Sequence, residues 1–244
     1  ILNIIVEPEF VTFFFFFFMK RFFVSTIVFF CLGISACAPQ KYTIYQEHKH
    51  VENTNPSVTD ILHYDFDVIK RMLQILEEAT KCLDEDKPIS KENFSDMVQI
   101  ITNFSDKHHQ EKEDKVLFPA LKVKNEGEKK DFLGRLLMEH VSARDEMRNL
   151  SGALNSFYQG KKAKKKIAKI VRSYIEDMEK HIEMEEKILF PWINKTLTPD
   201  EQVMFVKKFD ALEKEDLDAG VHEKYSAMIE KLEQQVGICF DSKE

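Results

Sequence analysis

The sequence predicts an all-α protein, an antiparallel up-down four-helix bundle with two extra C-terminal helices. Three observations predict it. Gly and Pro number only seven each in 244 residues, about half their usual combined share. Four long stretches carry apolar residues at helical spacing and are joined by short polar turns, which favours antiparallel neighbours. No stretch alternates as a strand would.

Each element has its own start and stop. Thr59-Asp60 opens the first periodic stretch (Leu62, Phe66, Ile69, Leu73, Leu76), which runs to about Leu83 and stops before the Asp84-Lys87-Pro88 turn. Ser90 caps a second helix (Phe94, Met97, Ile101, Phe104), with Pro119 as its expected stop. After Asn125-Glu126-Gly127 comes a third (Phe132, Leu136, Val141, Met147, Leu150), ending by Gly160. A fourth (Ile167, Val171, Tyr174, Met178, Ile182, Ile188) is expected to stop at Pro191. Thr198-Pro199-Asp200-Glu201 is a good helix start, so residues 198–219 and about 221–236 add two helices against the bundle. The lysines between Lys161 and Lys166 read as a solvated first turn, where cations oppose the helix dipole.

The front of the chain is a different material. Phe13 to Phe18 is unbroken, and Met19-Lys20-Arg21 precedes an apolar run from Phe22 to Gly33 and then Ile34-Ser35-Ala36-Cys37. Basic residues, an apolar stretch and small residues before a cleavage point make an export signal. Its last four residues resemble a bacterial lipobox, which makes Cys37 the expected lipidation site. A membrane-spanning helix over about Phe10 to Leu32 is disfavoured, because Lys20 and Arg21 would lie in its middle. The expected organisation is a leader over 1–36, the lipidated Cys and a flexible tether over 37–57, the bundle over 58–193 and a C-terminal extension over 194–244. A tether of that length reaches about 25 Å. The expected localisation is an exported, membrane-anchored lipoprotein, periplasmic or on the outer face of a bacterial membrane. His48 and His50 read as tether residues. Cys82 and Cys239 are far apart and form no C-x-x-C, so they define no thiolate metal site, and their pairing stays open. A net charge of -7 argues against nucleic acid as a partner.

The chemistry lies in a repeat. His109-Gln-Glu-Lys-Glu113-Asp-Lys-Val-Leu-Phe118-Pro119 and His181-Ile-Glu-Met-Glu185-Glu-Lys-Ile-Leu-Phe190-Pro191 share the pattern H-x-x-x-E-x-x-x-L-F-P at corresponding points of the two hairpins. Residues four apart share a helix face, so each copy offers one imidazole and one carboxylate to one place. His108 neighbours His109, but only His109 has a Glu four residues on. The other two helices carry His63 and His140, which antiparallel pairing brings near the two motifs. Four imidazoles and two carboxylates are too many polar groups to bury without a strong common partner. A pair of metal ions satisfies them, and the thiolate-free donor set suits iron, manganese or zinc. Glu111 and Glu186 are expected to be solvated. Asp67 reads as exposed or as an acceptor orienting an imidazole. Phe118 and Phe190 are expected to plug the bundle end near the metals.

With these residues the chain resembles the hemerythrin-like, or HHE cation-binding, proteins over about residues 59–193, and more weakly through Gly220-Val-His-Glu-Lys-Tyr225. The resemblance implies two non-haem iron ions in the bundle. It makes His63, His109, His140 and His181 terminal ligands and Glu113 and Glu185 bridges, with His222 structural. Oxygen-carrying members have a second His one turn after the helix-three His, where this chain has Arg144, so reversible oxygen carriage is not implied. The expected partners are metal ions, oxygen or another small diatomic ligand, and a membrane through the lipid anchor. The expected role is oxygen or nitric oxide sensing or scavenging, or iron handling, and non-enzymatic. The alternative is a di-iron oxidase, ferroxidase or peroxidase. A ferritin-type centre needs Glu-x-x-His on two helices, and no Glu lies three residues before any of the four His.

Overall fold

A capping box opens the first helix: the Ser57 hydroxyl accepts from the Asp60 amide, and the Asp60 carboxylate accepts from the Ser57 amide. The computed structural model describes residues 56–124, 127–216 and 220–236, with the backbone alone at 215, 216 and 236. The leader, Cys37 and the tether before Pro56 lie outside these residues.

Helix α1 spans Val58–Asp84. Helix α2 (Lys91–Ile100) is capped by Ser90 as its sequence predicts, and continues through π-helical segments at Ile101–Gln110 and Lys112–Leu117 into α3 (Phe118–Lys124). Helix α4 spans Glu128–Tyr158. Helix α5 (Lys164–Met184) passes through a π-helical segment, Glu185–Leu189, into α6 (Phe190–Thr196). Helices α7 (Pro199–Asp216) and α8 (Val221–Val236) follow. Among the described residues there is no strand, and no helix is long and apolar enough to cross a membrane.

The two prolines do not stop their helices. A proline ring meets the carbonyl four residues back, and here the turn before each proline is widened. The Phe118 amide donates to the Glu113 carbonyl and the Phe190 amide to the Glu185 carbonyl, both five residues back, so the wider winding lets the chain pass Pro119 and Pro191. The same rewinding explains why Ile188 is exposed and Leu189 buried, against the spacing of the apolar stripe. Val141 is exposed too, because its neighbour His140 takes the inward position.

Helix α1 packs along α5, α5 along α4, and the long α2–α3 helix along α1 and α4, which closes the four-helix bundle. Leu62, Phe66, Ile69, Leu73 and Leu76 of α1 are all buried, each contributing about 1.5–3 kcal/mol. Gly160 has φ 82, the left-handed turn that ends α4 where the sequence places it. Helices α7 and α8 pack on the outside of the four helices, α7 against α1 and the second π segment, α8 against α1 and α2, and bury Phe205, Phe209, Ile229 and Leu232 in the same apolar core. Arg71 clamps α8 through a bidentate pair with Glu233, both distances 2.8 Å. Cys82, near the end of α1, is buried and disulfide-bonded, and Cys239 lies outside the described residues.

Candidate metal centre

The π-helical winding sets the site. It places His109 with Glu113 toward the bundle axis and the neighbouring pair, His108 with Lys112, toward the C-terminal helices, with all four side chains buried. Single π turns are found at functional sites because they redirect side chains without ending a helix. Helix α4 supplies His140, and the junction of α5 with its π segment supplies His181 and Glu185.

These five side chains converge. Glu113, His140, His181 and Glu185 each offer a ligand atom, and those atoms lie within 4.8 Å of one another. The His140 and His181 Nε2 atoms are 3.0 Å apart. His109 joins them, its Nε2 3.8 Å from both Glu113 Oε2 and Glu185 Oε2. His181 Nε2 lies 2.8 Å from Glu185 Oε1. Yet both oxygens of Glu113, Glu185 Oε2 and His109 Nε2 are buried without a hydrogen-bond partner, and Glu185 Oε1 has only the His181 contact. Four such orphans facing one point are too costly to leave so, and a cation is the partner that fits them.

The far side of each imidazole makes the same case. His109 Nδ1 donates to Asp65 Oδ2 at 3.3 Å, His140 Nδ1 to Asp114 Oδ1 at 2.7 Å, and His181 Nδ1 to Glu139 Oε2 at 2.7 Å. A carboxylate behind each ring fixes the tautomer that leaves Nε2 free for a metal. Asp114 and Glu139 directly follow and precede members of the site, and each serves a His on the facing helix.

Charge supports the same reading. Burial and the facing Glu185 push the Glu113 carboxyl well above its usual range. Burial also opposes ionisation of Glu185, but His181, His109 and His140 hold its carboxyl well below that range. Burial lowers His181, while Glu185 and Glu139 outweigh it and raise the imidazole to about 9. Without a cation, the two carboxylates are so close that one of them must take a proton.

His63 is not brought to this point. Its side chain is 49% exposed and its Nδ1 is 3.6 Å from Glu186 Oε1, so Glu186 is not simply solvated either. The inward position on α1 belongs to Phe66, whose ring lies 4.9 Å from that of His109 and stacks on Phe190 at 5.4 Å. Three residues turn a helix through almost a full circle, but the remainder puts His63 at the bundle edge. Phe118 stacks on His140 at 5.9 Å. Arg144 donates to Asp106 at 2.6 Å and to Asp114 at 2.7 Å, holding the carboxylate behind His140.

A second convergence, missed in the sequence, lies behind His109. Asp65, His108 and His222 bring three ligand atoms together. Lys112 Nζ already sits there, 2.9 Å from Asp65 Oδ2, 3.0 Å from His108 Nε2 and 2.8 Å from Glu213 Oε1. A dication about 4 Å from that ammonium meets a repulsion on the order of 8 kcal/mol at an effective dielectric of about 20. Lys112 is therefore the cation of this cluster. Burial opposes ionisation of Asp65, but Lys112 and His108 hold its carboxyl well below the usual range. The sequence signal for Asp65 is an acid inside the apolar stripe between Leu62 and Phe66.

The chain matches the hemerythrin HHE cation binding domain over residues 58–193, and again over 133–236. It belongs to that family. Overlapping matches are what an internal repeat produces. No curated protein and no solved structure matches the chain. As a hemerythrin-like protein it is a metal-binding helical bundle, and the buried His/Glu cluster is its candidate metal centre.

Proposed function

We propose that this hemerythrin-like chain holds two non-haem iron ions on His109, Glu113, His140, His181 and Glu185, and acts in oxygen or nitric oxide sensing or scavenging, or in iron handling. One observation carries the reading: three imidazoles whose Nδ1 atoms are tied to carboxylates and two carboxylates with three unpartnered oxygens between them face one buried point. Bound iron would supply reversible redox chemistry and a place for a diatomic ligand. The protein's residues orient the imidazoles, exclude water with Phe66, Phe118 and Phe190, and give up protons from Glu113 and His181 when metal enters. With five protein ligands for two ions, open positions remain for a small ligand.

An oxidase, ferroxidase or peroxidase is the second reading. It is favoured by a cavity of about 380 Å³ lined by residues that include Ser105, Asp106, Gln110, Arg144 and Tyr174. Gln110 follows His109, and Arg144 lies one turn beyond His140, so this cavity is where a substrate larger than a gas would approach.

Iron is loaded anaerobically as Fe(II) and counted. About two ions per chain are expected, with most of the metal lost in His181→Ala and Glu185→Ala; less than one ion in the wild type sinks the metal reading. Adding oxygen then separates the roles. A reversible change in the visible spectrum supports sensing or binding, and sustained consumption of oxygen or peroxide supports the enzyme. The lipobox also motivates an anchored, exported location. A labelled fatty acid should follow the wild type and not Cys37→Ala, and its absence from both would remove the anchor.

A further inference from the structure

The three imidazoles of the candidate centre are held from behind in three different ways. Asp114, behind His140, is held by Arg144 of α4, within the bundle itself. Glu139, behind His181, has a side chain 40% exposed, so water can serve it. Asp65, behind His109, is fully buried, and part of its support comes from outside the four-helix core. His222 of α8 places Nε2 2.8 Å from Asp65 Oδ1, the shortest contact that carboxylate makes. The other oxygen, Oδ2, takes His109 Nδ1 at 3.3 Å and Lys112 Nζ at 2.9 Å.

The His222 ring is itself fixed on three sides. It stacks on Tyr64 at 4.4 Å and meets the edges of Phe104 at 4.9 Å and His108 at 4.8 Å. A half-buried histidine so confined holds one oxygen of Asp65 and thereby sets the plane of the carboxylate. That plane decides where Oδ2 stands and how the His109 ring turns. Removing His222 leaves Oδ1 facing only His108 Nε2 at 3.2 Å, which cannot donate to it while accepting from Lys112 Nζ at 3.0 Å.

We infer that His222 is a positioning residue of the metal centre, acting through Asp65 on His109, so that α8 is a working part of the site. This rests on the reading of the buried His/Glu cluster as a metal centre. The repeat does not include His222, and the resemblance implies only that it is structural.

The test uses the full chain loaded with Co(II) and followed by paramagnetic proton NMR, in which each metal-bound imidazole shows an exchangeable, hyperfine-shifted Nδ1 proton. Three such signals are expected in the wild type. His222→Ala should weaken Co(II) binding about tenfold, the lower end for loss of an outer support, and should move or broaden one signal while leaving two. His222→Gln, whose amide can still donate to Asp65 Oδ1, should restore the affinity and the signal. Asp65→Asn should disturb the same signal, which keeps the test decisive if the Ala variant does not fold. Unchanged affinity and three unchanged signals in His222→Ala overturn the inference while the metal reading stands. Equal disturbance of all three signals by both His222 variants also overturns it, since that is general loosening. A wild type that takes up no Co(II) removes the metal reading, and the inference with it.

Discussion

Replacing Lys112 by Met tests whether a side-chain ammonium is the built-in cation of the cluster behind His109. Lys112 is fully buried, with Nζ 2.8–3.0 Å from Asp65, His108 and Glu213. Met has nearly the same length, so the change removes charge and leaves little cavity. Breaking a buried ion pair on one side costs about 3–5 kcal/mol, because the remaining charge is left uncompensated. Asp65 keeps its contacts to His222 and His109, which places the loss near the lower end, about 3 kcal/mol. For a protein of this size that lowers the melting temperature by about 6–12 °C. Urea and thermal melts of the metal-stripped protein at neutral pH measure it. The double variant Asp65→Asn with Lys112→Met should recover most of the loss, because no charge then stays buried. With the ammonium gone, Asp65, His108 and His222 are free to take a zinc ion, so Lys112→Met should bind about one more zinc per chain than the wild type. A loss under about 1 kcal/mol, or a wild type that already holds that extra zinc, refutes the reasoning.

Four further outcomes are expected. Metal uptake should release about two protons per chain near neutral pH, from Glu113 and His181; potentiometric titration during loading checks it, and no release would contradict the charge state argued for the pair. The same shift has a stability consequence in the metal-free protein. The folded pKa of His181, about 9, lies above the usual value of about 6.5, so its contribution is complete below about 6.5 and is lost as pH rises through about 9. The metal-free melting temperature should therefore fall across that window, and less so in His181→Gln. His63→Ala should leave the metal count unchanged, because that side chain is half exposed and faces Glu186; a lost ion would return His63 to the ligand set. Tyr158→Phe should cost about 1–2 kcal/mol in urea, since its one hydroxyl proton is shared between the Ile89 and Ser90 carbonyls, 3.0 Å from each, and ties α4 to the start of α2.

Much of the helical framework can be read directly in the chain. Ser90 caps α2, Gly160 ends α4, and Thr198 with Glu201 starts α7 through reciprocal hydrogen bonds. All three are local decisions, made by a few residues around one backbone turn. The prolines do not declare themselves in the same way, because whether Pro119 and Pro191 end a helix depends on how the preceding turn is wound, and residue spacing does not record that winding. The repeat points to His109 with Glu113 and His181 with Glu185, since four-residue spacing is itself a geometric statement. His63 shows the limit of that logic. Being a histidine on the right helix does not tell on which side of the helix it lies relative to its partners, and the inward position is filled by Phe66.

By itself, then, the sequence determined which side chains share a helix face, where most helices begin and end, and that two imidazole-carboxylate pairs recur in one chain. Tertiary structure alone decided which faces meet. It set Asp65 behind His109, Asp114 behind His140 and Glu139 behind His181, filled the second cluster with Lys112, and brought His222 to Asp65. The physical reason is that periodicity along a helix is governed by backbone hydrogen bonds between near neighbours. Partners on different helices are chosen by how those helices cross and how buried charges balance, and no local spacing records either.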